Sequence, residues 1–212
     1  MAVGLNGTVI TSSNNGVNWV SSTSGTTLTL LAVVYGNNTF VAVGTGGTII
    51  TSTNNGSNWT PQTVGTNDLL GITYGNNTFV AVGKSGTILT SSNGTSWTSQ
   101  ASGTTANLSG VAFGNNTFVA VGDNGTVRIS TNNGVNWTSP LTPPSPTQNL
   151  YGVTYANGVF IAVGHNGAIY RSINGLIWTQ DTSPVTNVLF SVSHGNNTFV
   201  IVGDSGKVLT CP

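Results

Sequence analysis

The stretch YGNNTFVAVGTGGTIITSTNNGSNW, Tyr35 to Trp59, constrains this chain more than any other feature, because the chain repeats it. It recurs as YGNNTFVAVGKSGTILTSSNGTSW (Tyr74 to Trp97), as FGNNTFVAVGDNGTVRISTNNGVNW (Phe113 to Trp137), and more loosely as YANGVFIAVGHNGAIYRSINGLIW (Tyr155 to Trp178). The glycine that closes each VAVG-like run falls at Gly4, Gly44, Gly83, Gly122, Gly164 and Gly203, in steps of 40, 39, 39, 42 and 39 residues. A period near 40 residues is that of a propeller blade or a helical repeat. Within each unit the apolar residues alternate in short runs rich in Val, Ile, Thr and Tyr, and no 3.6-residue period is sustained. The units are therefore β. The expectation is an all-β propeller spanning residues 1–212 as a single domain.

Four strands are legible per unit. Strand A covers Leu30–Tyr35 and its counterparts Leu69–Tyr74, Leu108–Phe113, Leu150–Tyr155 and Leu189–His194. Its third position is small in every copy (Ala32, Gly71, Gly110, Gly152, Ser191), as suits an innermost strand crowded around an axis. An Asn/Gly turn leads to strand B (Thr39–Val43), a Gly-flanked turn to strand C (Thr48–Ser52), and a second Asn/Gly turn to strand D around Trp59; Asn and Gly accept positive φ at low cost. Ser139–Asn149 carries four prolines, which cannot donate ladder hydrogen bonds, so it reads as a loop between units. The N-terminus supplies strands B to D and the C-terminus strands A to C. The expected count is 22 strands, in five blades closed by pairing the N-terminal D strand with the C-terminal A–C set, since closure removes sheet edges. Residues 1–11 and 200–210 are near duplicates.

Composition narrows the partners. Charged residues make up 4% of the chain, with four basic, four acidic and zero net charge, so electrostatic capture of nucleic acid or an anionic membrane is not expected. A surface of Asn, Thr, Ser and Gly accords with secreted, viral or cell-surface β proteins; no signal-peptide pattern stands in the first twenty residues. One cysteine leaves no basis for an internal disulfide or a zinc cluster. No run approaches the ~20 apolar residues of a membrane helix. No cofactor is expected.

The turn before each tryptophan, Ser12–Trp19, Ser52–Trp59 and Ser130–Trp137, with shorter forms Ser91–Trp97 and Ser172–Trp178, reads S-x-N-x-G-x-x-W. It resembles the Asp-box (BNR) repeat of sialidase-type propellers and of photosystem II assembly-factor propellers. Asn14, Asn54, Asn93, Asn132 and Asn174 stand where that family has Asp. Such side chains bond back to the backbone of a tight turn, and Trp19, Trp59, Trp97, Trp137 and Trp178 are expected to bury large apolar area between sheets. A calcium site is not expected, because no copy supplies a carboxylate. The sialidase resemblance would imply three arginines, a tyrosine–glutamate pair and an acid/base aspartate. With two arginines and no glutamate, no catalytic residue carries over, and the chain is expected not to be an enzyme.

The remaining variation sits in the slot after VAVG, occupied by Leu5, Thr45, Lys84, Asp123, His165 and Asp204. His194 takes a core aromatic slot of strand A. Any ligand is expected on the face of the B–C turns and D–A links, near Thr45, Lys84, Asp123, His165 and Asp204, since varied side chains on a repeated frame confer selectivity. The first expectation for function is a non-catalytic, lectin-like propeller that binds a carbohydrate or another polar ligand through repeated sites. The alternatives are a protein-interaction scaffold or assembly factor, as the resemblance also implies, and an engineered or excised repeat fragment without a specific ligand.

Overall fold

Each repeat folds into an antiparallel sheet, and six sheets follow one another in chain order in the computed structural model, which describes residues 1–145 and 147–211. Pro146, inside the proline-rich loop, and Pro212 lie outside the described residues. The first sheet holds β1 (Ala2–Val3), β2 (Val9–Thr11) and β3 (Val20–Ser22). The second holds β4 (Leu30–Gly36), β5 (Thr39–Gly44), β6 (Thr48–Ser52) and β7 (Thr60–Thr63). The third holds β8 (Leu69–Gly75), β9 (Thr78–Gly83), β10 (Ile88–Ser91) and β11 (Thr98–Ser99). In the fourth are β12 (Leu108–Gly114), β13 (Thr117–Gly122) and β14 (Val127–Ser130), with the D strand reduced to a bridge between Ile129 and Thr138. The fifth has β15 (Leu150–Ala156), β16 (Val159–Gly164), β17 (Ile169–Ser172) and β18 (Thr179–Gln180). The sixth has β19 (Leu189–Gly195), β20 (Thr198–Gly203) and β21 (Val208–Cys211).

Local chemistry explains the turns. Asn37 and Asn38 both sit at positive φ (46° and 54°), the conformation of a type I′ hairpin turn that twists with its strands. The B–C connection is a short 3₁₀ turn that begins at the variable slot, as in Thr45–Gly47 and Lys84–Gly86. Strand D starts after the tryptophan, because the indole belongs to the turn: Trp59 Nε1 donates to the Gly56 carbonyl at 3.1 Å.

Strand alternation gives every sheet two apolar faces, and consecutive sheets pack face to face. Val41, Val43 and Ile49 of the second sheet pack against Leu69, Phe79, Ala81, Leu89 and Trp97 of the third. Equivalent residues repeat the contact between the third and fourth sheets, where Trp137 closes it, and between the fourth and fifth, where Trp178 does. Innermost strands nearly touch. A Cβ on Gly71 would lie 3.1 Å from the Ser109 carbonyl oxygen and 3.3 Å from Gly110 Cα, which accounts for the small third position of strand A. At the end of the same strand, a Cβ on Gly75 would lie 2.1 Å from the Phe113 ring, and one on Gly36 would lie 2.2 Å from the Tyr74 ring. Ala156 replaces this glycine only where the next sheet offers His194, a smaller ring. His194 itself takes the aromatic's role, with its ring 4.7 Å from that of Phe199.

The terminal strands depart from the sequence expectation. The N-terminal D strand, β3, does not complete the C-terminal sheet; it pairs with β2, and among the described residues β21 stands last in its sheet. The closed five-blade ring with a composite blade is therefore not formed: among the described residues there are six sheets, and the first and last make no extensive contact. The physical reason is that β2 and β21 are near duplicates (Val-Ile-Thr and Val-Leu-Thr), and β3 joins the copy that is local in sequence, where loop closure is less demanding. Exposure records the outcome. Val202 and Val208 are 41% and 60% exposed, although their equivalents Val43 and Ile49 are fully buried.

Two expectations follow for stability. Trp59, 8% exposed, should lose ~3–5 kcal/mol on mutation to Ala. Trp19, 45% exposed, should lose far less, and Asn38→Ala about 1 kcal/mol for its positive φ. Thermal or urea denaturation of the three variants checks the order. Gly75→Ala should lose ~1–3 kcal/mol, as overpacking against the Phe113 ring requires, whereas Ala156→Gly should change stability by much less; the same denaturation series measures both.

Candidate functional site

Two regions stand out, the rim of the B–C turns and a groove between the last two sheets. The rim comes from the variable slot. Each slot residue starts a 3₁₀ turn, and its backbone N–H donates to the link preceding strand A of its own sheet: Thr45 to the Thr29 carbonyl, Lys84 to Asp68, Asp123 to Asn107, His165 to Asn149, Asp204 to Val188. B–C turns and D–A links therefore share a face, as antiparallel order requires.

Sequence reading missed what holds this rim together. The N–H after the slot donates across to the next sheet: Gly46 to Asp68 Oδ1 at 2.8 Å, Ser85 to Asn107 Oδ1 at 3.0 Å, and Asn124 to Asn149 Oδ1 at 2.9 Å. Two of these carboxamide or carboxylate groups also bind a slot side chain. Lys84 Nζ lies 2.6 Å from Asp68 Oδ2, and Asn107 Nδ2 donates to Asp123 Oδ2 at 2.8 Å. The available signal was the residue before each strand A leucine: Asp68, Asn107 and Asn149, against Thr29 and Val188 in the second and sixth sheets. Lys84, His165 and Asp204 are exposed, and Thr45 and Asp123 are half-buried. Lys84 and Asp123 are thus engaged within the frame, and Asp204 Oδ1 accepts from the Ser205 N–H.

The hydrogen bond from Lys84, then that from the Gly46 N–H, holds the Asp68 carboxyl below its ordinary value of 3.8 against a smaller opposing effect of desolvation. A depressed carboxyl pKa contributes stability that is fully present above the unfolded value and is lost as pH falls through the folded one. Wild type should therefore lose more stability than Asp68→Asn between about pH 5 and about pH 3. Urea midpoints of both proteins at the two pH values check this.

The five tryptophan turns on the opposite face are closed by their own side chains. In Ser52–Trp59, the Gly56 N–H donates to Ser52 Oγ and the Asn58 N–H to Asn54 Oδ1, both at 2.9 Å. Asn14, Asn93, Asn132 and Asn174 accept in the same way from Asn18, Ser96, Asn136 and Ile177. These amides hold backbone. Each arginine is also engaged: Arg171 pairs with Asp181 at 2.9 Å, and Arg128 bonds to the Gly103 carbonyl and Ser139.

The groove, about 830 Å³, opens between the fifth and sixth sheets. Its walls are Ile161 and Ile169 of the fifth sheet and Phe199, Ile201 and Leu209 of the sixth, with Ile173 and Ile177 at the mouth. The Arg171–Asp181 pair sits on its rim. Its size is in the range of ligand-binding clefts. The proline-rich loop reaches the same corner, since the Leu141 N–H donates to the Leu176 carbonyl at 2.8 Å and the Trp178 N–H to Thr142 Oγ1 at 3.0 Å. No sequence periodicity announces the groove, because its walls are alternating strand residues that read as core in every unit.

The architecture defines the class: an all-β propeller of antiparallel sheets. Among solved structures, the chain is similar to one titled YCF48 bound to D1 peptide, at 17% identity and a TM-score of 0.74, covering 98% of this chain and 72% of that one. It is similar also to YCF48 from Cyanidioschyzon merolae, at 19% identity and a TM-score of 0.73, covering 98% and 75%. No protein-family model matches the chain, and no curated protein matches it.

Proposed function

We propose that this chain is a non-catalytic propeller that binds a protein partner, taking an extended segment into the groove beside β21. The observation that carries the reading is the aliphatic cleft between the fifth and sixth sheets. A segment bound there gains side-chain specificity from the apolar walls of the cleft. Isoleucine, leucine and phenylalanine walls suit apolar side chains better than sugar hydroxyls, so this reading replaces the carbohydrate reading in first place. A propeller of similar architecture whose structure carries a bound peptide supports it. The tryptophan turns are read as Asn-bearing Asp-box variants that build the frame.

The rim is kept as a second reading, because Lys84, His165 and Asp204 are exposed at equivalent positions and differ in chemistry. Panning of a random peptide library against the full chain, beside a glycan array, tests the choice. Apolar, extended peptides should be enriched, and Leu209→Asp should abolish their binding. Glycan binding without peptide enrichment, lost on alanine substitution at Lys84, Asp123 and His165 but not at Asn37, Asn76 and Asn115, would move the site to the rim.

A further inference from the structure

Nine Asn-Gly pairs stand in this chain. At such a pair the backbone nitrogen of the glycine can attack the asparagine carboxamide, because glycine has no Cβ to hinder the approach. The structure holds most of these nitrogens. In the tryptophan turns, the N–H groups of Gly16, Gly56, Gly94, Gly134 and Gly175 donate to a serine Oγ at 2.8 or 2.9 Å. In the B–C turns, the Gly125 N–H donates to the Gln148 carbonyl at 2.7 Å and that of Gly167 to the Asn187 carbonyl at 2.8 Å, while Gly7 is buried. The ninth pair, Asn157-Gly158, differs. Its two residues are the whole loop between β15 and β16, at φ 50° and 79°, with Ala156 paired to Val159. Among the described residues the Gly158 N–H donates to no group. The loop is exposed, as are its counterparts that begin at Asn37, Asn76 and Asn115, and those carry a second Asn where this one has Gly158.

The carboxamide of this pair is also placed. His194 stands where the other A strands have tyrosine or phenylalanine, and its Nε2 lies 3.2 Å from Asn157 Nδ2. We propose that Asn157 is a site of spontaneous covalent modification, with His194 as the acid. The Gly158 nitrogen gives up its proton to solvent and bonds to Asn157 Cγ. In the resulting adduct Nδ2 is an amine, accepts a proton from the His194 imidazolium, and leaves as ammonia when the Cγ–Nδ2 bond breaks. Solvent reprotonates the imidazole. Water then opens the five-membered imide: breaking the new N–Cγ bond gives aspartate, and breaking the original peptide N–C bond gives isoaspartate. The net change is one water taken up and one ammonia released. Aspartate keeps the loop and sets a carboxylate beside His194. Isoaspartate lengthens the backbone of a two-residue loop whose length fixes the register of β15 against β16.

The test is ageing of the full chain at neutral pH, folded and in urea, followed by peptide mapping with mass spectrometry and enzymatic methylation of isoaspartate. In the folded chain Asn157 should convert about tenfold faster than the pairs whose glycine N–H is bonded, since each of those must first give up a hydrogen bond. In urea, where the turns are gone, the nine rates should converge. Gly158→Asn, which restores the Asn-Asn loop of the other units, should nearly abolish the conversion. His194→Tyr, which restores their aromatic, should slow it severalfold, with solvent then supplying the proton. The comparison of folded with unfolded wild type requires neither variant to fold. If another Asn-Gly pair leads in the folded chain, or if Asn157 converts no faster than the bonded pairs, the site is overturned. An unchanged rate in folded His194→Tyr overturns the role given to His194.

Discussion

Everything in this molecule depends on one contact between sheets, made again and again: the Val-x-Val face of one sheet against the Leu, Phe, Ala and Trp of the next. Burying a Val or Leu side chain contributes about 1.5–3 kcal/mol, so each interface outweighs anything a single sheet can gather alone. A three- or four-stranded sheet with two apolar faces is not stable in isolation; it needs a neighbour to cover them. Electrostatics contributes little, with 4% charged residues, and hydrogen bonding takes over the surface. Amide and hydroxyl side chains close the tryptophan turns on one face and clasp sheet to sheet on the other.

Much of this was legible in the sequence. The 40-residue period, the alternation and the Asn/Gly turns identify strands and their order because they are local or periodic signals. The small third residue of strand A anticipates the close approach seen at Gly71 and Gly110. Strand D was placed around the tryptophan and lies after it, because the indole's hydrogen bond to the turn is invisible in a hydropathy pattern. The end-to-end closure was not readable. Counting strands supplies a partner for each edge, but the choice of β3 between two near-identical strands is set by loop length and not by composition.

The candidate site was less legible than the fold. Slot residues such as Lys84 and Asp123 stand out for their charge, yet their partners, Asp68 and Asn107, look like ordinary link residues until the sheets are side by side. The groove is a property of how the fifth and sixth sheets stack, and pattern reading registers single strands. Ile161, Phe199 and Leu209 read as core in every copy; only the stacking shows that one copy of that core is open on its outer side.

The clasps at Asp68, Asn107 and Asn149 tie the second sheet to the third, the third to the fourth and the fourth to the fifth. Thr29 and Val188 hold the same position at the two outer joints, and neither can repeat the bond with a carboxylate or amide. A row of like units coupled only to nearest neighbours behaves as a one-dimensional chain whose ends melt before its middle. Here the weaker joints coincide with the ends, so the two effects add. Amide exchange in such a row should fall into two tiers, a slow central block of four sheets and a fast sheet at either flank, so that opening events would reach the cleft beside β21 before they reach the interior.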